Sequence, residues 1–180
     1  MNKKGFTLLE LLVVTAILGI LIGVASNVFL AVLRSQNKTT ITNEVRQNAT
    51  HLIDLFERDV RSAESVDELG ATDVVTLNYS DYTVTWQCNM PPGENGQFVR
   101  IDTSVSSDPK VVTNTEPVTG VDINCATEGV GDTAFNVSGL SGKSQIIRLD
   151  FKIKQGVQAP TRNDYNIDLP VETTVGIRIF

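Results

Sequence analysis

Lys3-Lys4-Gly5-Phe6-Thr7-Leu8-Leu9-Glu10, followed by a run over residues 11–33 that holds no charged side chain, decides how this chain folds. About 23 residues at 1.5 Å each make about 34 Å of helix, enough to cross a hydrocarbon core. The run therefore reads as a membrane segment. Lys3 and Lys4 precede it and only Arg34 and Lys38 follow closely, a weak asymmetry that leaves the N-terminus in the cytoplasm and exports the rest. A cleaved secretory signal would have a shorter apolar region, about 7–15 residues, and although Val24-Ala25-Ser26 resembles a cleavage site, the stretch is too long and carries an acid near its start. A plain anchor explains the length but not Glu10. An ionised carboxylate in the span costs about 2.5–3.5 kcal/mol at the centre and less near an end. The nearest preceding cations, Lys3 and Lys4, lie more than a turn away, so the compensating charge is expected on another chain.

The whole chain has 180 residues with 15 basic and 21 acidic side chains, a net charge of −6, which fits one domain and argues against nucleic-acid binding by phosphate neutralisation. Its mean hydropathy of zero conceals an asymmetry, because most of the excess apolar character precedes Arg34. With one histidine, His51, and two cysteines, Cys88 and Cys125, there is little material for a zinc site or a Ser-His-Asp triad. No enzyme, no cofactor, no metal and no small-molecule substrate is expected, and nucleic acid is disfavoured as a partner.

The string from Lys3 to Glu10 with its uncharged continuation closely resembles the class III leader of type IV pilins and type II secretion pseudopilins. The resemblance implies a prepilin peptidase that cuts between Gly5 and Phe6 and methylates the new amino terminus. It also implies that Glu10 neutralises the Phe6 amino group of a neighbouring subunit, which would supply the missing cation. Loss of residues 1–5 removes Lys3 and Lys4 and takes the net charge from −6 to −8. Many major pilins carry a proline in mid-helix where this chain has Asn27, so a kink is not expected from proline. Gly19 and Gly23 leave two readings open, local melting of the helix or close packing through a Gly-x-x-x-Gly face.

Beyond Arg34 the apolar residues Ile41, Val45, Ala49, Leu52, Ile53, Phe56, Val60 and Ala63 recur at helical spacing, opposite Lys38, Glu44, Arg46, Asp54, Glu57, Arg58 and Arg61. One helix is expected over about residues 6–65, and its apolar stripe needs a strand-rich surface to cover it. Asp54, Glu57 and Asp59 read as a solvated face with interspersed arginines and not as an acid/base or metal cluster, and His51 is read the same way. The string Leu55-Phe56-Glu57-Arg58-Asp59-Val60-Arg61-Ser62-Ala63 resembles the end of the long helix in J-type minor pseudopilins and W-type minor pilins.

After Gly70 the period becomes two, most clearly in Ile147-Arg148-Leu149-Asp150-Phe151-Lys152-Ile153-Lys154, and again in residues 82–86, 121–125 and 171–180. Residues 74–79, 98–101 and 111–113 are weaker strands. Met90-Pro91-Pro92-Gly93-Glu94-Asn95-Gly96, Ser106-Ser107-Asp108-Pro109 and Gly129-Val130-Gly131-Asp132 read as loops, as does 156–166, and short loops between strands imply an antiparallel sheet. Cys88 and Cys125 each end an alternating run. Export makes a disulfide chemically reasonable, with two buried free thiols as the alternative. Four Asn-x-Ser/Thr strings read as chance, and Asp164 and Asp168 lack calcium-site spacing.

The expected architecture is α+β and pilin-like: a leader at 1–5, a transmembrane and assembly helix at 6–33, an amphipathic half of the same helix at 34–65, and a strand-rich globular domain at 66–180 packed on it. The expected function is that of a minor pilin or minor pseudopilin in a type IV pilus-like or type II secretion filament. Its partners would be prepilin peptidase, other pilin or pseudopilin subunits and the inner membrane, with a single pass, an exported C-terminal domain and a periplasmic or extracellular filament. The competing function is a membrane-anchored exported binding module for a substrate, surface or DNA.

Overall fold

A computed structural model describes residues 7–67, 70–125, 133–139, 144–161 and 166–177. Gly5 and Phe6, the loop at 129–132 and Asp164 lie outside the described residues. Helix α1 spans Leu8–Ser62 without a break. Thr7 caps it: its hydroxyl accepts from the Glu10 amide at 3.3 Å and its carbonyl accepts from Glu10 and Leu11 at 3.1 and 3.3 Å. Thr7-x-x-Glu10 is thus the sequence pattern of a capping box, with one reciprocal half formed. The helix continues through Gly19, Gly23 and Asn27, where an added Cβ at either glycine would meet nothing within 4 Å.

The unit formed by residues 1–40 carries the uncharged run over 11–33 and none of its described side chains is buried, whereas the unit formed by residues 41–180 holds the core. In the latter, Val45, Ala49, Leu52, Phe56 and Val60 are the buried face of α1. The helix stops at Ser62, three residues before the boundary expected at 65. Ser65 already belongs to a strand, β1 (Ser65–Val66), and pairs with Asn78.

The remaining strands are β2 (Gly70–Thr72), β3 (Val74–Asn78), β4 (Thr83–Asn89), β5 (Gln97–Asp102), β6 (Ser106–Val111), β7 (Val121–Asn124), β8 (Phe135–Gly139), β9 (Gln145–Gln155) and β10 (Asp168–Gly176). They form two antiparallel sheets where one was expected. The first runs β1-β3-β4-β5-β6; the second runs β10-β9-β8-β2, with β7 also paired to β9. Alternation explains the central strands, since Val84, Trp86 and Cys88 of β4 and Ile147, Leu149, Phe151 and Ile153 of β9 all point into the core. The expected loop at Ser106-Ser107-Asp108-Pro109 is instead part of β6, an edge strand exposed at every residue, and only Val111 of the strand expected at 111–113 belongs to it. Such an edge has no buried face to impose a pattern, and its proline and charges blunt further pairing.

Phe56 joins helix and sheets: its ring lies 5.5 Å from Trp86 of the first sheet and 5.7 Å from Phe135 of the second, and Phe98 continues the cluster to Phe135 and Phe151 at 5.8 and 5.2 Å. Three polar devices clamp the sheets together. Cys88 is bonded to Cys125 with a Cα–Cα distance of 6.2 Å, a link across 37 residues that is worth about 3–4 kcal/mol by loop closure. Gly96 donates to the Asp122 carboxylate at 2.8 Å and accepts from Ile123 at 3.0 Å, an approach so close that a Cβ there would overlap the Ile123 carbonyl. The buried side chain of Gln145 accepts from the Val66 amide at 3.1 Å and donates to the Val66 carbonyl at 3.2 Å, as a neighbouring strand would.

Candidate functional site

Residues 8–33 of α1 place large apolar side chains on all sides: Leu8 is 84% exposed, Ile20 69% and Phe29 61%. A helix apolar all round needs lipid or other helices as its solvent. Its internal polar groups are satisfied locally, with Thr15 donating to the Leu12 carbonyl at 3.0 Å, Ser26 to Ile22 at 2.8 Å and Asn27 to Gly23 at 3.1 Å. Glu10 differs from them. Its amide is capped by Thr7, but its carboxylate makes no ion pair or hydrogen bond among the described residues. In a membrane this is the one described acid within the apolar run or at its border, and it has room for a cation from outside the chain.

In the globular unit the acids of α1 separate into different environments. Asp54 and Arg58 are exposed, as expected, and Glu57 pairs with Arg61 at 3.1 Å while accepting from Thr173 at 3.0 Å. Asp59 corrects the reading of a solvated face: it is 7% exposed and faces the first sheet. Its carboxylate accepts from Trp86 Nε1 at 2.9 Å, Arg100 Nε at 2.7 Å and Arg100 Nη2 at 3.3 Å, and its carbonyl accepts from the Tyr79 hydroxyl at 2.6 Å. Arg100 also reaches Asp102 at 2.8 Å. Hydrogen bonding to Asp59 holds the Arg100 guanidinium above its already high pKa, and the Ser104 hydroxyl and amide, then Arg100, hold Asp102 below the usual carboxylate range against its partial desolvation. Burial, then the Asp59 charge, pushes the Tyr79 hydroxyl well above the ordinary tyrosine value. Trp86, Tyr79 and Arg100 all donate to Asp59, so the group pins α1 on the first sheet.

His51 lies on the exposed face of α1 in an open hollow shared with Asn43, Arg46, Thr50 and Asp54. Asp168 is engaged with Lys154 at 3.6 Å. No group of three or more His, Cys, Asp or Glu with metal-binding geometry occurs among the described residues. A second hollow, of about 250 Å³ and largely apolar, lies between one turn of α1 (Ile41, Glu44, Val45), the start of β7 at Val121 and the loops carrying Val118 and Ala159.

Residues 1–26 match the family of the prokaryotic N-terminal methylation motif. No curated protein and no solved structure matches the chain. The motif is that of the class III leader, it marks structural proteins, and together with the long apolar helix it fits a membrane-anchored, pilin-like precursor processed by prepilin peptidase and assembled with other pilins.

Proposed function

We propose that this chain, whose first 26 residues are those of a type IV pilin-like precursor, is a minor pilin or minor pseudopilin of a type IV pilus-like or type II secretion filament. Prepilin peptidase cuts between Gly5 and Phe6 and methylates Phe6. Residues 6–33 store the mature subunit in the inner membrane, and the exported domain is carried on the amphipathic continuation of the same helix. Residues 34–65, expected as that continuation, serve it up to the observed end at Ser62. Assembly begins when Glu10 meets the Phe6 amino group of a neighbour and stem–stem contacts replace lipid contacts. The contact is head-to-tail and need not close, so it propagates as a fibre. The minor role is supported by the resemblance at residues 55–63.

The observation that carries this reading is Glu10: a carboxylate at the border of an apolar span, within a processing motif, with no partner among the described residues of its own chain. In cells that express the full chain, Glu10→Ala should be processed normally and lost from sheared filaments. Unchanged incorporation would instead favour a tethered binding module, and an intact Met1 in membrane-extracted protein would remove the assembly mechanism altogether.

A further inference from the structure

Asn95-Gly96 is the single Asn-Gly pair in the chain, and it closes the loop string at 90–96. Such a pair can modify itself, because glycine has no side chain to shield the asparagine before it and its backbone turns freely. The Gly96 nitrogen attacks Cγ of Asn95, a C–N bond forms, and the side-chain nitrogen leaves as ammonia. Water then opens the cyclic imide to aspartate, or to isoaspartate, in which the main chain runs through the former side chain and gains one carbon. The reaction requires a glycine nitrogen that can give up its proton and a carboxamide free to turn its face towards that nitrogen.

The fold withholds both. Gly96 donates to the Asp122 carboxylate of β7 at 2.8 Å. Loss of that proton would set a nitrogen anion against a carboxylate, and like charge disfavours it. Asn95 is 3% exposed, and its carboxamide donates to the Thr115 and Glu116 carbonyls at 3.2 and 2.8 Å and accepts from the Val157 amide at 2.7 Å. Turning the carboxamide breaks all three bonds inside a buried site. The same bonds tie the β4–β5 loop to the β6–β7 loop and to the segment after β9, where Gly156 donates to Gly120 and Gln158 to Pro117, each at 2.9 Å. We propose that Asn95-Gly96 is a latent self-modification site, held closed by these ties, that reacts in molecules whose β4–β5 loop has opened and then bars the loop from closing again. Aspartate at this position has no N–H for the Thr115 and Glu116 carbonyls and sets a negative charge against both oxygens. Isoaspartate also lengthens the chain beside Gly96, where even one added Cβ would overlap the Ile123 carbonyl. Water is the only co-reactant, and the inference is independent of the assembly reading.

Peptide mapping by mass spectrometry tests the proposal on the full-length chain, held in detergent in mildly alkaline buffer with and without guanidinium chloride. Deamidation at Asn95, read as a gain of one mass unit and a split into aspartate and isoaspartate peaks, should run roughly a hundredfold slower in the folded chain. Equal rates in the two conditions overturn the closed state of the site. The second half of the proposal is read by hydrogen exchange at the Val157 and Gln158 amides, which are protected only while the loops are tied. In a sample aged in guanidinium and returned to native buffer, molecules that kept Asn95 should regain that protection, and those one mass unit heavier at Asn95 should exchange roughly tenfold faster or more. Asn95→Asp made directly should show the same loss, with the amides of β4 and β9 still protected to prove that the domain folds. Modified molecules that recover full protection at Val157 and Gln158 overturn the bar to closure, and the aged sample decides this even where Asn95→Asp does not fold.

Discussion

Two stretches of one unbroken helix, residues 8–33 and 45–60, obey the same backbone geometry and have opposite fates. In the first, none of the side chains is buried by its own chain; in the second, Leu52, Phe56 and Val60 are completely covered by the two sheets. The difference lies in how apolar residues are distributed around the axis. A narrow stripe can be satisfied by one surface, whereas a cylinder apolar on every side cannot be satisfied within a chain of this size. The first stretch is thus left to lipid or other helices, and the second contributes to domain stability.

This contrast is tested most strongly by truncating one large side chain in each stretch. Phe56→Ala removes the ring that touches both Trp86 and Phe135 and should cost the domain about 3–5 kcal/mol, read from denaturant unfolding of the full chain in detergent. Leu18→Ala, by comparison, should leave that transition unmoved, and a comparable loss from both would abolish the distinction. A smaller effect is expected at Asp59. Asp59→Asn keeps the shape but withdraws the charge from Arg100 and should cost about 2 kcal/mol, less than a fully buried pair because Arg100 retains 21% side-chain exposure and a second partner in Asp102.

The smallest change sharpens the comparison through pH. Tyr79→Phe loses one hydrogen bond to the Asp59 carbonyl, about 0.5–1.5 kcal/mol at neutral pH. Because the folded-state pKa of Tyr79 is raised, its contribution is fully present below the ordinary tyrosine value near 10 and is lost as pH rises from there through the folded value, since the unfolded chain ionises first. Alkaline titration of the unfolding midpoint should therefore fall less steeply in Tyr79→Phe than in the parent protein. Equal slopes would mean that Tyr79 is not held in its neutral form by the fold.

What the sequence revealed follows the same division. The apolar run, the stripe and the alternation in β9 were legible because each has a period that a single dimension preserves. Which strands share a sheet depends on pairings across the whole domain, so two sheets could not be told from one. Residues 106–109 of β6 read as a loop, because an edge exposed at every position carries no alternation. Asp59 misleads for a different reason. Flanked by Arg58 and close to Arg61, it resembles a solvated acid, yet Val45, Ala49, Leu52, Phe56, Asp59 and Ala63 follow alternating spacings of four and three that place it on the buried stripe. That spacing was the available signal, and a polar residue on an apolar stripe identifies where a helix is pinned. At the amino terminus, Glu10 was recognisable for the same reason, as an acid out of keeping with the run beside it.

Gln145 bears on how the domain withstands traction. A pull along α1 is borne by its buried face and, along the chain, passes through residues 63 and 64 into β1, only two residues long and weak if held by β3 alone. The carboxamide of Gln145 holds the amide and the carbonyl of Val66 at once, while Gln145 itself begins β9, the central strand of the second sheet. Load entering through the shortest described strand is thus shared with the longest, and peeling β1 away requires rupturing both backbone hydrogen bonds of Val66 to Gln145 together.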